Sequence, residues 1–415
     1  MNQTTSSTNK NAFNLIVLVA ALGYFVDIYD LLLFSVERID SLMDILHKDA
    51  PDNEIKVIGK QLLNWQMGGM LIGGIFWGIL GDKKGRLSVL FGSIILYSLA
   101  NIANGFVQTV SQYAVLRFIS GFGLAGELGA GITLVSETLS KEKRGIGTMI
   151  VATVGVFGAV VAGFMSNCIS SWRTSFFIGG GMGLALLMLR IGVFESGMFV
   201  KTKEQKVSRG NLLGLFSSRK KAMKYLNIIL VTVPVWYVMG ILVTFAPEMM
   251  KSMGVTGFQP NPGKCIMYAY LGITLGDLAS GLISQVLKSR KKTLAIFLSL
   301  TVIGIAMYFT LAPISEFVFY SVICFIGFAT GYWAVFMSTA AELFGTNIRA
   351  TVTTTAPNFV RGSLIFVSWG VSVFETYMNS VGSAIVVGIL VLSIAGLALW
   401  NLEETFHKDL NYVEE

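Results

Sequence analysis

The residues of this sequence that are best placed to do chemistry are six ionisable side chains inside long apolar runs. The four acids and two bases are Asp27, Asp30, Glu127, Asp277, Arg117 and Arg361. A charge at the centre of a bilayer costs about 2.5–3.5 kcal/mol on insertion scales, so each of them requires a partner, a polar cavity or a function. The alternative for each residue is an ion pair that only fixes helix packing.

Two spacings give these residues a geometry. Asp27 and Asp30 are three residues apart and share one helix face, so their charges repel and at least one of them is expected to bind a proton readily. Arg117 and Glu127 are ten residues apart, close to three helical turns, which places both on one face about 15 Å apart. We expect both to face a cavity rather than lipid.

A proton site and a polar binding site are the functions that fit these residue types. We assign proton coupling to Asp27, Glu127 and Asp30. We assign substrate binding to Arg117, Arg361 and Asp277. Aromatic residues in such runs serve either a pocket or packing and the membrane interface. The four that are candidates for the pocket are Trp236, Tyr237, Tyr332 and Trp333.

Membrane-spanning helices are the elements that must position these side chains. Hydrophobic residues make up 53% of the 415 residues and charged residues 13%, whereas a soluble domain carries about 25% charged residues. Spanning a bilayer takes about 20 mostly apolar residues. Twelve such runs occur, at 13–34, 62–80, 89–106, 113–135, 146–168, 176–193, 225–245, 265–287, 294–312, 317–341, 352–374 and 383–402. The sequence therefore predicts an all-α integral membrane protein with twelve transmembrane helices.

The runs fall into two groups of six separated by a polar gap. We predict an N-terminal six-helix bundle, a linker, a C-terminal six-helix bundle and a tail, at residues 1–194, 195–224, 225–402 and 403–415. The gap carries eight basic residues, and further basic clusters follow runs two, four and eight. The positive-inside rule then predicts that both termini and the linker are cytoplasmic, in a bacterial inner membrane.

Several other classes of protein are disfavoured by the same sequence. The two histidines, His47 and His407, lie far apart, and the three cysteines lack metal-ligand or disulfide spacing, so we expect no metal and no cofactor. An enzyme would need a nucleophile with its base or a metal cluster. The net charge of +7 comes from short loops rather than from a basic stripe, so we expect no nucleic-acid partner.

The two halves of the chain resemble one another. Glu137 is followed seven residues later by Arg144, and Glu342 is followed at the same separation by Arg349, an offset of 205 residues. Near that offset, Arg86 after run two aligns with Arg290 after run eight. A duplicated six-helix unit, as found in transporters, accounts for both coincidences.

The loop after run two reads GILGDKKGR, residues 78–86, and resembles the G-x-L-x-D-R-x-G-R signature of the major facilitator superfamily. The resemblance implies two six-helix bundles and a cytoplasmic latch in which Asp82 pairs with a base or caps a helix of the other bundle. We assign the cytoplasmic gate to Asp82, Arg86, Glu137, Arg144, Glu342 and Arg349.

The segment RFISGFGLAGELGAGITLVSETLSKEKRG, residues 117–145, resembles span four of the sugar-porter and metabolite:proton-symporter branches of that superfamily. FESGMF at 194–199 and LEETF at 402–406 resemble the sugar-porter signatures that end each half, without their prolines. Residues 155–163 lack the Gly-Pro pair typical of drug antiporters. The resemblance therefore favours uptake by symport over export by antiport.

The function expected from these features is proton-coupled uptake of a small polar metabolite by a monomer. An amino acid, an organic acid and a nucleoside are the candidate substrates, because the mixed acids and bases suit a zwitterion or an anion. A uniporter or an effluxer of a small solute is the alternative. A membrane-embedded enzyme or a non-transporting receptor fits the sequence least well.

Overall fold

The first half of the chain forms six long helices. A computed structural model of the protein describes residues 4–46, 50–84, 86–131, 141–194, 216 and 218–408. We number the helices in chain order; the first six are α1 (Thr4–Ile45), α2 (Asp52–Lys84), α3 (Arg86–Asn104), α4 (Val110–Leu124, helical again at 127–131), α5 (Lys141–Cys168) and α6 (Trp172–Phe194).

The second half repeats this pattern with more interruptions. Its helices are α7 (Arg219–Tyr237, continued by a π-helical turn over Val238–Val243), α8 (Pro262–Leu287), α9 (Arg290–Thr310), α10 (Glu316–Thr330 and Trp333–Leu343), α11 (Thr346–Gly362 and Leu364–Phe374) and α12 (Ser380–Trp400). A short helix, Ala246–Ser252, connects α7 to α8. Because α7 begins at Arg219, residues 219–224 of the predicted linker are helical.

Polar residues directly before the apolar runs start many of these helices. In each case a Ser, Thr or Asn side chain accepts a hydrogen bond from a backbone N–H in the first turn, which satisfies a group that the helix itself leaves unpaired. These capping residues are Thr109, Ser218, Asn261, Ser289, Ser315 and Asn379.

Helix packing produces two six-helix bundles. They meet along α1, α2 and α5 of the first half and α8 and α11 of the second. In the first half α1 packs on α5 and α6, α2 on α4, and α3 on α4 and α6; in the second, α8 and α9 pack on α10, and α7 packs on α11 and α12. The halves meet where α5 and α1 contact α8 and where α2 contacts α11. Nine helices in the described ranges are long and apolar enough to cross a membrane. The predicted twelve-helix membrane fold is confirmed.

The bundle has two ends, which differ in the helix termini that they carry. We call the side on which α2 ends at Lys84 and α12 ends at Trp400 the terminal face. The opposite side, on which α1 ends at Ile45, is the distal face.

Candidate functional site

An acid and a base from different halves lie at the centre of the molecule. Asp27 of α1 is fully buried, and neither of its carboxylate oxygens accepts a hydrogen bond from a residue in the described ranges. It interacts electrostatically with Arg361 of α11. The Arg361 guanidinium is 2% exposed and lies 5.7 Å from the ring centroid of Trp333, and its Nε has no hydrogen-bond partner among the described residues. Tyr24 and Tyr270 interact with the same guanidinium.

Glu127 is held by a residue that is not among the predicted site residues. Arg190 of α6 donates to both carboxylate oxygens of Glu127, with Nη1 3.1 Å from Oε2, and Nη1 also lies 3.2 Å from the Leu90 carbonyl. A Cβ on Gly23 of α1 would collide with this pair, so glycine at that position lets α1 pack directly on it. The sequence pattern does not single out Arg190, because it lies near the end of its apolar run, where basic residues often reach the membrane interface. Its position still inside the run is the signal that could identify it.

Arg117 belongs to a separate polar cluster inside the first half. It donates to the Asn101 side-chain oxygen at 2.8 Å and to that of Asn104 at 3.4 Å, and its guanidinium lies 4.8 Å from the Phe176 ring centroid. Asp30 is fully buried beside Asn101 and Arg117, without a hydrogen bond of good geometry to any described residue. A methyl group on Gly179 would meet the Asp30 carboxylate.

The predicted cavity-facing pair of Arg117 and Glu127 requires a correction. Both residues point towards α1 and α6, as one shared helix face requires, but they are buried inside the first half. Each forms hydrogen bonds with residues of that half, because a buried arginine or glutamate in an apolar bundle needs hydrogen-bond partners nearby. Among the described acids of the predicted site, Asp27 and Asp30 are the ones without such partners.

Asp277 caps a helix that is broken in mid-membrane. Its Oδ1 accepts a hydrogen bond from the Ala334 N–H at 3.2 Å, at the start of the second segment of α10. The break falls at Gly331, where a Cβ would lie 2.6 Å from the Gly276 Cα, so only glycine permits this approach of the two backbones. A substrate-binding role for Asp277 stays a prediction, and the cap is a structural reason for an acid here.

The predicted aromatic group is divided by the structure. The Tyr237 hydroxyl donates to the Ala384 carbonyl at 2.6 Å, and the Tyr332 hydroxyl donates to the Val231 carbonyl at 3.1 Å, so both tyrosines brace helices within the second half. Trp236 is buried on the same helix as Tyr237. Trp333, beside Arg361, is the member of the group that contacts the central charges.

The predicted gate on the terminal face lies largely outside the described part of the chain. Glu137 and the side chains of Asp82, Arg86, Arg144 and Arg349 are not described. Glu342 accepts two hydrogen bonds from Arg290, at 2.9 and 3.2 Å, and one from Thr405 at 2.7 Å. These partners belong to the same half as Glu342, so its part in a gate between halves stays a prediction.

Contacts between the halves enclose the central charges from both faces. Towards the terminal face, the Asn358 amide of α11 donates to the Ala125 carbonyl of α4 at 2.9 Å, and a Cβ on Gly129 would lie 2.7 Å from the Thr354 Cα. Towards the distal face, Arg38 of α1 forms an ion pair with Glu248 of the second half. The described residues therefore adopt an occluded arrangement.

Comparisons with known proteins agree with this architecture. A family model described as Major Facilitator Superfamily matches residues 20–368. A protein of Cupriavidus pinatubonensis named "Probable 4-methylmuconolactone transporter" is 26% identical over 80% of this chain and 81% of its own length. The 3-(3-hydroxy-phenyl)propionate transporter of Escherichia coli is 28% identical over 69% and 70%. A proton:xylose symporter structure shares the fold, with a TM-score of 0.66, 16% identity and coverage of 97% and 98%.

Proposed function

The chain belongs to the major facilitator superfamily, whose members transport small molecules across membranes, and from that premise we propose that it imports a small organic acid together with protons. The observation that carries the proposal is that Arg361 of the second half and Asp27 of the first are both buried, interact electrostatically and are enclosed from both faces. Both residues are ionisable groups at a depth where charge is costly, which makes them candidates for a function by default.

A carboxylate substrate fits the Arg361 site best. A guanidinium binds a carboxylate through two parallel hydrogen bonds, and Trp333 beside it offers an aromatic face to a planar substrate. The relatives from Cupriavidus pinatubonensis and Escherichia coli are described as transporters of compounds that carry a carboxyl-derived group on an unsaturated or aromatic framework. Among the three substrate classes that the sequence left open, these features favour the organic acid.

Charge balance at the centre explains how proton and acid would be coupled. With Asp27 ionised and no substrate bound, Asp27 and Arg361 neutralise each other; with Asp27 protonated, the substrate carboxylate takes its place on Arg361. In both states the charges of Asp27, Arg361 and any bound substrate sum to zero, so the carrier can change conformation without moving a net charge through the low-dielectric membrane. A proton or an acid alone leaves a net charge, which resists that movement. Asp27 and Asp30 have no hydrogen-bond partner of good geometry among the described residues, whereas Glu127 is bound by Arg190, so we propose Asp27 and Asp30 as the proton carriers.

The direction and membrane that we propose rest on the charge distribution. The basic residues around Lys84, Arg219 and Arg290 belong to the terminal face, and the positive-inside rule supports our proposal that this face lies in the cytoplasm of a bacterial inner membrane. Substrate would then arrive at the distal face. Reporter fusions at either terminus or in the linker that report an external location would contradict this orientation.

Uptake into proteoliposomes tests the proposal. 4-Methylmuconolactone and 3-(3-hydroxyphenyl)propionate are the first compounds to screen for a thermal shift of the purified protein, because a ligand of the folded state raises its apparent stability. For a compound that binds, Asp27→Asn is expected to abolish accumulation driven by a pH gradient and to retain counterflow, since a loaded carrier stays neutral. Arg361→Ala is expected to weaken binding at least tenfold, by the loss of about 1.5–3 kcal/mol of charge-assisted hydrogen bonding.

Two outcomes would decide against it. Full gradient-driven accumulation by Asp27→Asn would transfer the coupling role to Asp30. Uptake that is indifferent to an imposed pH gradient in the wild type would favour the alternative, a uniporter or an effluxer of a small solute.

A further inference from the structure

A buried arginine joins the two halves at the distal face. The Arg38 side chain of α1 is fully buried, and its Nη1 lies 2.6 Å from a carboxylate oxygen of Glu248 in the second half. Its Nη2 donates to the Thr244 carbonyl at 3.1 Å, and its guanidinium lies 4.4 Å from the Phe245 ring centroid. Arg38 of the first half thus contacts three residues of the second half that lie within about one helical turn of each other.

Two lysines form a second connection beside the first. Lys56 and Lys60 of α2 lie 2.6 and 2.7 Å from the two carboxylate oxygens of Glu375, directly after α11. The side chains of the two lysines are 12% and 8% exposed, so these contacts are largely shielded from solvent. One glutamate therefore neutralises two shielded cations from the other half.

The polarity of these connections is the same. In both, the cations stand on the first half and the carboxylates on the second. Two acids of α1 are bound within their own half, since Glu37 accepts a hydrogen bond from Ser175 at 2.7 Å and Asp44 pairs with Arg173 at 3.0 Å. When the halves separate at this face, Arg38, Lys56 and Lys60 stay on the wall formed by α1 and α2 and lose the carboxylates that bind them.

We propose that Arg38, Lys56 and Lys60 form an anion-capture site at the distal entrance, which Glu248 and Glu375 occupy while this face is closed. The site rests on the proposed function insofar as its natural ligand is the carboxylate of an organic acid. An incoming carboxylate replaces the glutamates on the same cations, so opening exchanges like for like and leaves no buried cation unpaired. The anion then lies on the path towards Arg361.

The capture site differs from a simple electrostatic lock in one measurable respect. Lys60→Met and Glu375→Gln break the same ion pair. In a lock, both substitutions open the distal face and act in the same direction. In a capture site they act in opposite directions on anions, because one removes the binding cation and the other removes its competitor.

Cysteine labelling measures this without any knowledge of the substrate. Asn64 lies on α2 one turn deeper than Lys60, is half-buried and is hydrogen-bonded to Ser368 of α11 at 2.8 Å, so opening of the distal face is expected to raise the labelling rate of Asn64→Cys. The background carries Cys168→Ser and Cys324→Ser, and Cys265 stays because it is fully buried. The probes are methanethiosulfonates with an anionic sulfonatoethyl, a cationic trimethylammonioethyl or a neutral methyl group, applied to protein in lipid nanodiscs.

The neutral reagent reports how often the face opens, and the ratio of anionic to cationic rates reports the charge of the entrance. We expect Lys60→Met to lower that ratio about tenfold and Glu375→Gln to raise it, because a cleft lined by one sign of charge concentrates counter-ions. The difference should shrink at high salt. Lys60→Arg keeps the charge and should keep the ratio.

An exposed pair provides the matched control. Lys251 and Asp52 also connect the halves, but their side chains are 74% and 60% exposed and their polarity is reversed. Asp52→Asn should leave the ratio within twofold. If Lys60→Met and Glu375→Gln both accelerate all three reagents and leave the ratio unchanged, the face is a lock and the capture site is wrong. Because no transport is measured, this result is independent of whether Arg361 binds organic acids.

Discussion

At the scale of single residues, the described charges inside the membrane differ in whether they have a partner. Glu127 is bound by Arg190 and Arg117 by two asparagines, whereas Asp27, Asp30 and the Nε of Arg361 have no hydrogen-bond partner of good geometry among the described residues. A bound charge fixes packing, and an unbound one is available to a proton or a ligand. We therefore assign Glu127 and Arg117 to helix packing and propose functional roles for Asp27, Asp30 and Arg361.

Substitution of Glu127 tests the structural assignment. Glu127→Leu leaves Arg190 buried and uncompensated, and loss of one partner of a buried ion pair costs about 3–5 kcal/mol. We expect a clear fall in thermal stability in detergent. The double variant Glu127→Leu with Arg190→Met replaces the pair with apolar groups and should recover most of that loss. If Glu127→Gln keeps wild-type stability and loses only gradient-driven accumulation, Glu127 carries the proton after all.

The pH dependence of the distal contacts is a second prediction at this scale. Burial raises the pKa of Glu375, but hydrogen bonds and charges from Lys56 and Lys60 outweigh it, so the pKa lies below its ordinary value. Contacts made by a group with a lowered pKa are present above the ordinary glutamate value of about 4.3 and are lost as the pH falls through the lowered one. Burial lowers the pKa of Lys60 below its ordinary value, so Lys60 loses its charge at a lower pH than a solvent-exposed lysine does.

The contacts of Glu375 should therefore be present at neutral pH and weaken in strong acid. Pulsed electron paramagnetic resonance between spin labels at Val57→Cys and Tyr377→Cys, both exposed on either side of the contact, measures this change. A distance distribution that stays unchanged in strong acid in the absence of ligand would contradict this assignment.

At the scale of helices, interruptions place backbone groups where side chains can use them. α10 stops at Thr330 and restarts at Trp333, which leaves first-turn N–H groups for Asp277 of α8 to accept. α7 passes through a π-helical turn after Pro234, an imino acid without an N–H, and the Thr244 carbonyl just beyond that turn accepts from Arg38. Irregular helices thus bring the second half into contact with α1.

The cap on α10 can be distinguished from a substrate contact. Asp277→Asn keeps the acceptor oxygen that faces the Ala334 N–H, because asparagine caps helices as well as aspartate. The thermal stability should therefore be close to that of wild type, and the transport rate should stay within about twofold. Asp277→Leu removes the acceptor and should lower stability by about 1–2 kcal/mol. Thermal unfolding and uptake are measured together. Equal loss of substrate binding in both variants, with stability unchanged, would make Asp277 a ligand of the substrate.

At the scale of the whole molecule, the occluded arrangement is held differently at its two faces. The described contacts towards the terminal face are close backbone approaches and the hydrogen bond from Asn358. At the distal face the ion pairs of Arg38, Lys56 and Lys60 add to the close approach of Gly163 to Gly263 and the hydrogen bond from Asn64 to Ser368. Salt screens ion pairs and leaves close packing unchanged, but it acts weakly on pairs shielded from solvent, so ionic strength should shift the equilibrium only slightly towards opening at the distal face.

Asp82, close to the end of α2, is the residue whose substitution tests the transport cycle. Asp82→Asn should slow cycling more than it weakens substrate binding, because a latch biases two conformations without touching the ligand. The rate of exchange in proteoliposomes and the binding affinity of the same preparation are compared, with Glu403→Gln on the exposed surface of the terminal face as the control. A wild-type rate with unchanged conformational populations would show that the loop after α2 is not a latch.

The fold and the cost of each buried charge could be predicted from the amino-acid sequence. Twelve apolar runs, one repeat offset and the GILGDKKGR loop are local features, and a run long enough to cross a bilayer has few structural options. The same reasoning located Asp27 and Arg361 at mid-depth, because an isolated charge in such a run is visible in one dimension. It missed Arg190, which lies close enough to the end of its run to be taken for an interfacial residue.

Which charges meet became clear only from the tertiary packing. Glu127 and Arg190 are 63 residues apart, Arg290 and Glu342 are 52 apart, and Arg38 and Thr244 are 206 apart, so no local spacing encodes these contacts. The energy of burial requires that each charge find a partner but does not say which one, and the answer depends on how twelve helices pack. Packing also placed three cations opposite two glutamates at the distal face, where the sequence shows only a mixed polar loop.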